Sequence, residues 1–134
     1  MKHVVFSNLV KKSWSKAVLI ASNNFERYRP ELLKALNSYD TEERAAAVAS
    51  FNESNDADAH DYILPLLDDP DQMVRTEAAE YLKEFGIRED VSILLDRIER
   101  NQSLRFLLTC SLQSITGRKS GLIDENDPPE TRES

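Results

Sequence analysis

ILPLLDDPDQMVRTEAAEYLKEFG, residues Ile63–Gly86, reads as two amphipathic helices joined by a turn. Ala78, Leu82 and Phe85 stand four and three residues apart, the interval that puts side chains on one helix face. Small Ala78 and Ala79 let a neighbouring helix come close. In the turn, Asp69 is placed to cap the second helix, and Pro70 suits its first position, where a missing N–H costs nothing. Pro65 suits only a first turn or a kink, so the helix before the turn is expected to bend or to begin late.

The landmarks of this stretch recur. At an offset of 31 residues upstream, Leu32, Leu33, Leu36, Arg44, Ala47 and Phe51 fall opposite Ile63, Leu64, Leu67, Arg75, Ala78 and Leu82. Downstream, Leu94, Leu95 and Ile98 keep the offset of 31 from Ile63, Leu64 and Leu67. The last helix needs 30: Leu104, Arg105, Leu108, Leu112 and Ile115 then answer Val74, Arg75, Ala78, Leu82 and Phe85. One residue has been lost from the last inter-helix turn. A unit that cannot bury its apolar face alone, repeated in tandem, is the signature of a helical repeat array.

The string LLDDPDQMVRTEAAEYL resembles the consensus of a short bacterial HEAT repeat, and the resemblance covers roughly residues 30 to 117. It implies that Asp69 closes the turn, that Val74 fills the core, and that Arg75 joins a polar ladder linking successive turns. The flanking units depart from it. Ser38 stands at the Asp69 position, Glu43 at the Val74 position, and Asn101-Gln102-Ser103 where the last turn belongs. The ending ITGRKSGLIDENDPPE is similar to tails that follow the last helix in bacterial members.

The expected fold is all-α: a short α-solenoid of about three HEAT-like helix pairs, residues 29–55, 57–86 and 88–117, behind an N-terminal capping helix over residues 1–28. Together these make one domain, residues 1–121, with an acidic, flexible tail over 122–134. With 134 residues, three glycines, five prolines and no strand-like alternation, nothing competes with this reading. Phe6, Leu9, Val10, Trp14, Ala17, Val18 and Ala21 trace one apolar face, as a helix covering the first repeat would need. The same segment carries Lys2, Lys11, Lys12 and Lys16 and no acid, a bias shared with presequences, but its longest apolar run, Ala17–Ala21, is too short for a signal peptide or a membrane span. The lone cysteine, Cys110, excludes an internal disulfide framework and is expected as a buried small side chain in a cytoplasmic protein.

Charge supplies the functional reading. The formal net charge is −7, and since residues 1–25 contribute +4, the remainder carries −11. Between Asp40 and Asp71 ten acids face one base, Arg44. Glu77, Glu80 and Glu84 follow at three- and four-residue steps beside Tyr81. The resemblance implies that second helices line a concave face. The expected partner surface is therefore acidic and tyrosine-bearing, comprising Glu43, Glu53, Asp58, Asp61, Glu77, Glu80, Tyr81 and Glu84. A surface of this sign repels phosphate, so nucleic acid is excluded as a partner and a basic protein favoured.

No catalytic or metal-binding pattern accompanies it. His3 and His60 lie far apart, and no pair has metal-ligand spacing. Asp56-Ala57-Asp58-Ala59-His60-Asp61 fails as an EF-hand, with Asp61 at the sixth position and Leu67 at the twelfth. The chain lacks the His-Glu dipeptides of iron-binding HEAT proteins and any glycine-rich phosphate loop. No cofactor, metal or enzyme activity is expected. Small bacterial HEAT proteins include immunity proteins, and the resemblance points to one that neutralises a basic toxin nuclease. An adaptor engaging through the N-terminal helix and a lyase-like small-molecule binder, with a pocket lined by Tyr81, Glu77 and Glu80, are the alternatives.

Overall fold

A computed structural model of the chain describes residues 4–117, so the acidic tail expected at 122–134 lies outside the described residues. Among them are eight α-helices and no strand: α1 Phe6–Lys12, α2 Trp14–Asn23, α3 Phe25–Ala35, α4 Thr41–Glu53, α5 His60–Ile63, α6 Gln72–Phe85, α7 Val91–Arg100 and α8 Arg105–Thr116. The all-α, HEAT-like architecture expected from the repeat is the one observed. No helix is long and apolar enough to cross a membrane among the described residues. The chain divides into two units, residues 1–81 and 82–134.

In the first unit, the expected single capping helix is instead two short ones and the start of a third. Ser13 is extended (φ −165°, ψ 116°) and its hydroxyl accepts from Lys16 N, so the chain stops α1 and caps α2 at the same residue. The apolar face survives the break, with Phe6, Val10, Ala17, Val18 and Ala21 all buried. The segment is also tied to α3: Tyr28 Oη donates to Val4 O at 2.8 Å, and the Glu31 carboxylate accepts from Phe6 N. The first helix of the first pair therefore begins at Phe25, and Pro30 falls inside it.

α2 packs along α4, which is enclosed on all sides. Every residue from Ala45 to Phe51 is buried, and Ser50 satisfies its hydroxyl on Ala46 O at 2.8 Å. Four alanines in this stretch permit the close approach that one-sided amphipathicity would not require. α4 ends where Asn55 takes a left-handed conformation (φ 56°) and Asp56 N donates back to Phe51 O, a Schellman closure that asparagine tolerates. Pro65 acts as expected: α5 is four residues long and gives way to a 3₁₀ turn over Leu64–Asp68.

The inter-helix turns repeat bond for bond. Asp40 N donates to Ser38 Oγ at 3.0 Å, as Asp71 N does to Asp69 Oδ1 at 2.9 Å. Glu42 N donates to Asp40 Oδ1 at 3.0 Å, as Met73 N does to Asp71 Oδ2 at 2.8 Å. Arg44 Nη1 reaches Ser38 O and Arg75 Nη1 reaches Asp69 O, both at 2.7 Å. Ser38 thus performs the turn-closing role of Asp69 despite its different chemistry. The cap of α6 is Asp71, not Asp69, because the helix begins at Gln72 and Pro70 remains in the turn. Asp69 is thereby left to bind the preceding repeat, and its carboxylate accepts both Arg44 Nε and Arg44 Nη2, at 2.9 and 3.0 Å.

In the second unit, α7 and α8 pack together over Leu82, Leu94, Leu104, Leu108 and Ile115, all buried. Asp90, also buried, accepts from Ile87 N at 2.9 Å and holds the entry to α7. Arg105, the last of the recurring arginines, is exposed, and the turn before it is held instead by Ser103 Oγ on Asn101 Oδ1 at 2.7 Å. Cys110 is half-buried rather than enclosed, since it sits beside the buried stripe of α8 and not on it. Gly86 leaves no room for a side chain. A Cβ there would stand 2.6 Å from both Leu82 O and Ile115 Cδ1.

Both the ion pair and the glycine bear on stability. Asp69→Ala strands the Arg44 guanidinium and should cost about 3–5 kcal/mol in urea unfolding, with Asp69→Asn intermediate because the turn can still close. Gly86→Ala should cost about 1–3 kcal/mol through forced displacement of the α6 end or of Ile115.

Candidate functional site

Acids that look alike in sequence divide sharply in the fold. Asp69 is held by Arg44, Asp40 and Asp71 cap helices, and Asp56 pairs with Arg29 at 2.8 Å while also accepting from Asp58 N. Arg29 in turn lies over the Phe51 ring, 6.0 Å from its centroid. These carboxylates are structural. Glu43 is half-buried and accepts from Ser38 Oγ at 3.0 Å, so it lies at the edge of the turn network. Glu53 at the end of α4, Asp58 on the turn that follows and Asp61 on α5 are exposed and form a run along this part of the chain.

Tyr81 does not belong with them. The sequence pattern puts it on the surface, but its side chain is fully buried and its hydroxyl donates to Asp56 O at 2.6 Å. Burial, then the charges of Asp56 and Asp58, push that hydroxyl above the ordinary phenol range, so it stays a donor. The tyrosine therefore anchors the loop after α4 to α6, and it cannot line an open pocket with Glu77 and Glu80.

Of the exposed aromatics Tyr39, Tyr62 and Phe106, Tyr62 is the one that stands beside Asp58 and Asp61, and it is absent from the surface expected on sequence grounds. It is 59% exposed, and stands four residues after Asp58 and one after Asp61, whose side chain is 94% exposed. Asp58, Asp61 and Tyr62 at i, i+3 and i+4 share one face of a helical segment. That spacing is visible in the sequence, where the more acidic strip on α6 conceals it. Asp61 Oδ1 lies 2.9 Å from His60 Nδ1, a contact that fixes the direction of its carboxylate.

On α6, Glu77 and Glu80 are half-buried within the first unit, and Glu84 is exposed on the last turn in the second. Burial first, and the neighbouring Glu80 charge second, push the Glu77 carboxyl up to about 7. Among the described residues no group of three or more His, Cys, Asp or Glu side chains is disposed to hold a metal ion.

The HEAT-repeat family matches residues 29–110, more than half of the chain, across the turns whose bonds repeat. The chain belongs to the HEAT-repeat family. No curated protein and no solved structure shows a significant match. HEAT repeats generally mediate protein–protein interaction, and HEAT-repeat proteins are typically scaffolds rather than enzymes. As a HEAT repeat, the central unit has the features its consensus implies: Val74 is fully buried, Asp69 closes the turn, and the arginine–aspartate pair crosses from one turn to the next. The crossing arginine is Arg44. Arg75 bonds its own turn, and its Nε is buried without a partner.

Glu77 supplies a pH test. Its folded-state pKa lies above the ordinary 4.5, so the native state binds more protons than the unfolded chain and its contribution to stability is lost as pH rises from about 4.5 to about 7. Glu77→Gln should match the wild type at pH 4 and exceed it at pH 8, by about 1–2 kcal/mol once solvent screening of this half-exposed group is allowed for. Thermal melts at the two pH values measure it; equal gains at both would show that charge is not the cause.

Proposed function

We propose that this HEAT-repeat chain is a non-catalytic binding module that takes a basic protein on an acidic surface, and that it serves as an immunity protein neutralising a bacterial toxin of nuclease type. The observation that carries the reading is the exposed face of Asp58, Asp61 and Tyr62, on α5 and the turn just before it. A tyrosine among carboxylates combines the two properties of an efficient inhibitor surface. The ring supplies a rigid, amphipathic contact whose burial slows dissociation. The carboxylates raise the encounter rate with a cationic partner. Nuclease toxins are cationic because they must hold a polyanion, so the same surface that repels nucleic acid attracts the enzyme that cuts it.

Glu53 extends this surface from the end of α4, while Glu43 and Glu80 add negative charge within the same unit. Tyr81 takes no part, being enclosed. Its contribution is to hold the Asp56 carbonyl, and with it the loop from which Asp58 starts.

Affinity capture from the source lysate at low salt, followed by binding kinetics on the eluted protein, tests the reading. A basic partner should associate at a rate that falls steeply with ionic strength. Asp58→Lys/Asp61→Lys should slow association about tenfold and flatten its salt dependence, whereas Tyr62→Ala should mainly speed dissociation. An association rate indifferent to salt and to the double charge reversal would overturn it.

A further inference from the structure

A second feature of the first unit includes Glu53 but none of Asp58, Asp61 and Tyr62. Trp14, Ser15, Val18, Leu19, Ser22 and Glu53 line a groove of about 220 Å³ between α2 and the end of α4. We propose that this groove receives one apolar side chain of a partner polypeptide, from a residue adjoined by a lysine or arginine that pairs with Glu53. The proposal rests on the reading that the partner is a basic protein, and adds where and through which kind of residue it is anchored.

Three observations select that occupant. The first is size: the groove falls below the roughly 300–1,000 Å³ of small-molecule sites and suits a single leucine, methionine or phenylalanine side chain. Its wall includes Leu19, which is 60% exposed, whereas Ala17, Val18 and Ala21 of the same helix are buried.

The second is unmade hydrogen bonds. Trp14 Nε1 and Ser22 Oγ, both on the groove's lining residues, are sealed from solvent and have no partner. Buried indole N–H and hydroxyl groups are normally paired. A peptide laid across the groove carries backbone carbonyls on either side of its inserted side chain, and a small rotation of the half-buried Trp14 ring turns its N–H toward them. A hydrocarbon would leave these groups as they are, and an anion able to accept from them would be opposed by Glu53 on the same groove.

The third is charge. α4 ends in Glu53, with no basic residue in its last turn. The carboxylate therefore adds to the negative end of the helix dipole instead of opposing it. Glu53 is exposed and makes no hydrogen bond or ion pair among the described residues. A cation placed there gains from both the carboxylate and the helix terminus. An occupant combining an apolar side chain, a backbone carbonyl and an adjacent cation matches all three features, and a polypeptide segment provides them together.

Trp14 is the chain's sole tryptophan, so the bond in question has a single indole N–H resonance as its reporter. The ¹⁵N-labelled full chain is titrated with two blocked peptides, acetyl-Ala-Leu-Arg-Ala-amide and acetyl-Ala-Leu-Glu-Ala-amide. The arginine peptide should move the indole signal saturably and downfield, as expected of a newly bonded N–H. It should bind about fivefold more tightly than the glutamate peptide, the scale of one exposed ion pair. Glu53→Gln, at an exposed position, should remove that preference while leaving the fold intact, and Ser22→Met, which fills the groove, should abolish the shift. A linear, unsaturating response, equal affinity for the two peptides, or a preference that survives Glu53→Gln would overturn the assignment. The outcomes separate the two readings. If the indole is silent but Asp58→Lys/Asp61→Lys still slows association with a basic protein, the groove assignment falls and the acidic-surface reading stands. If the peptides bind as expected while the charge reversals have no effect, the acidic-surface reading falls and the groove remains.

Discussion

The Arg44–Asp69 fork is the constraint on which the first unit depends. Its two side chains are only 14% and 5% exposed, so neither charge can be left without the other. Arg44 also binds Ser38 O, in the turn before its own helix, while Asp69 closes the turn before α6. One guanidinium thereby fixes the spacing of two successive turns, and the helices must follow. A buried ion pair is weak grounds for net stability, because its desolvation offsets much of its attraction. It is a strong specifier of register: a slip of either helix would leave a charge enclosed and unpaired.

The pair also explains why a degenerate turn still functions. Ser38 offers one oxygen where Asp69 offers two, and that single hydroxyl accepts Asp40 N and donates to Glu43. It can close the turn but cannot receive an arginine fork. Asp69 does both. The central unit therefore carries the consensus most faithfully because it alone, in this half of the chain, has a neighbour's arginine to bind. Arg75 keeps the intra-turn half of the pattern and leaves its Nε unsatisfied. The ladder is thus one rung long within the first unit.

How much of this can be read from the residues depends on the range over which each feature is decided. The 31-residue offset, the burial of Val74, Ala78 and Leu82 and the disruption at Pro65 are set by local periodicity and backbone chemistry, and they are legible. The break at Ser13 is not, because an unbroken apolar face runs across it; only the extended backbone and the serine cap reveal two helices. The enclosure of α4 depends on how many neighbours surround it, which a one-sided pattern cannot disclose. Tyr81 misleads for a related reason. Its neighbours Glu80 and Glu84 suggest a wet face, yet a rotation of about 100° per residue separates adjacent positions on a helix. That is enough to put Tyr81 in the core and Glu80 at its edge.

The distribution of acids shows why composition indicates a charged surface without showing its location. Aspartate is favoured at turns and caps because its short carboxylate reaches the backbone N–H two residues on, and Asp40, Asp56, Asp69 and Asp71 all do so here. A repeat fold with many turns therefore accumulates aspartates for reasons unrelated to any partner. Once these are set aside, the remaining carboxylates are fewer, and Glu53, Asp58 and Asp61 among them follow one another from the end of α4 into α5. There the helix terminus adds its own negative potential, and Arg29, committed to Asp56, answers only part of it. The negative charge that remains there is separate from the fold's turn chemistry, and the end of α4 adds to it because no basic residue stands in its last turn.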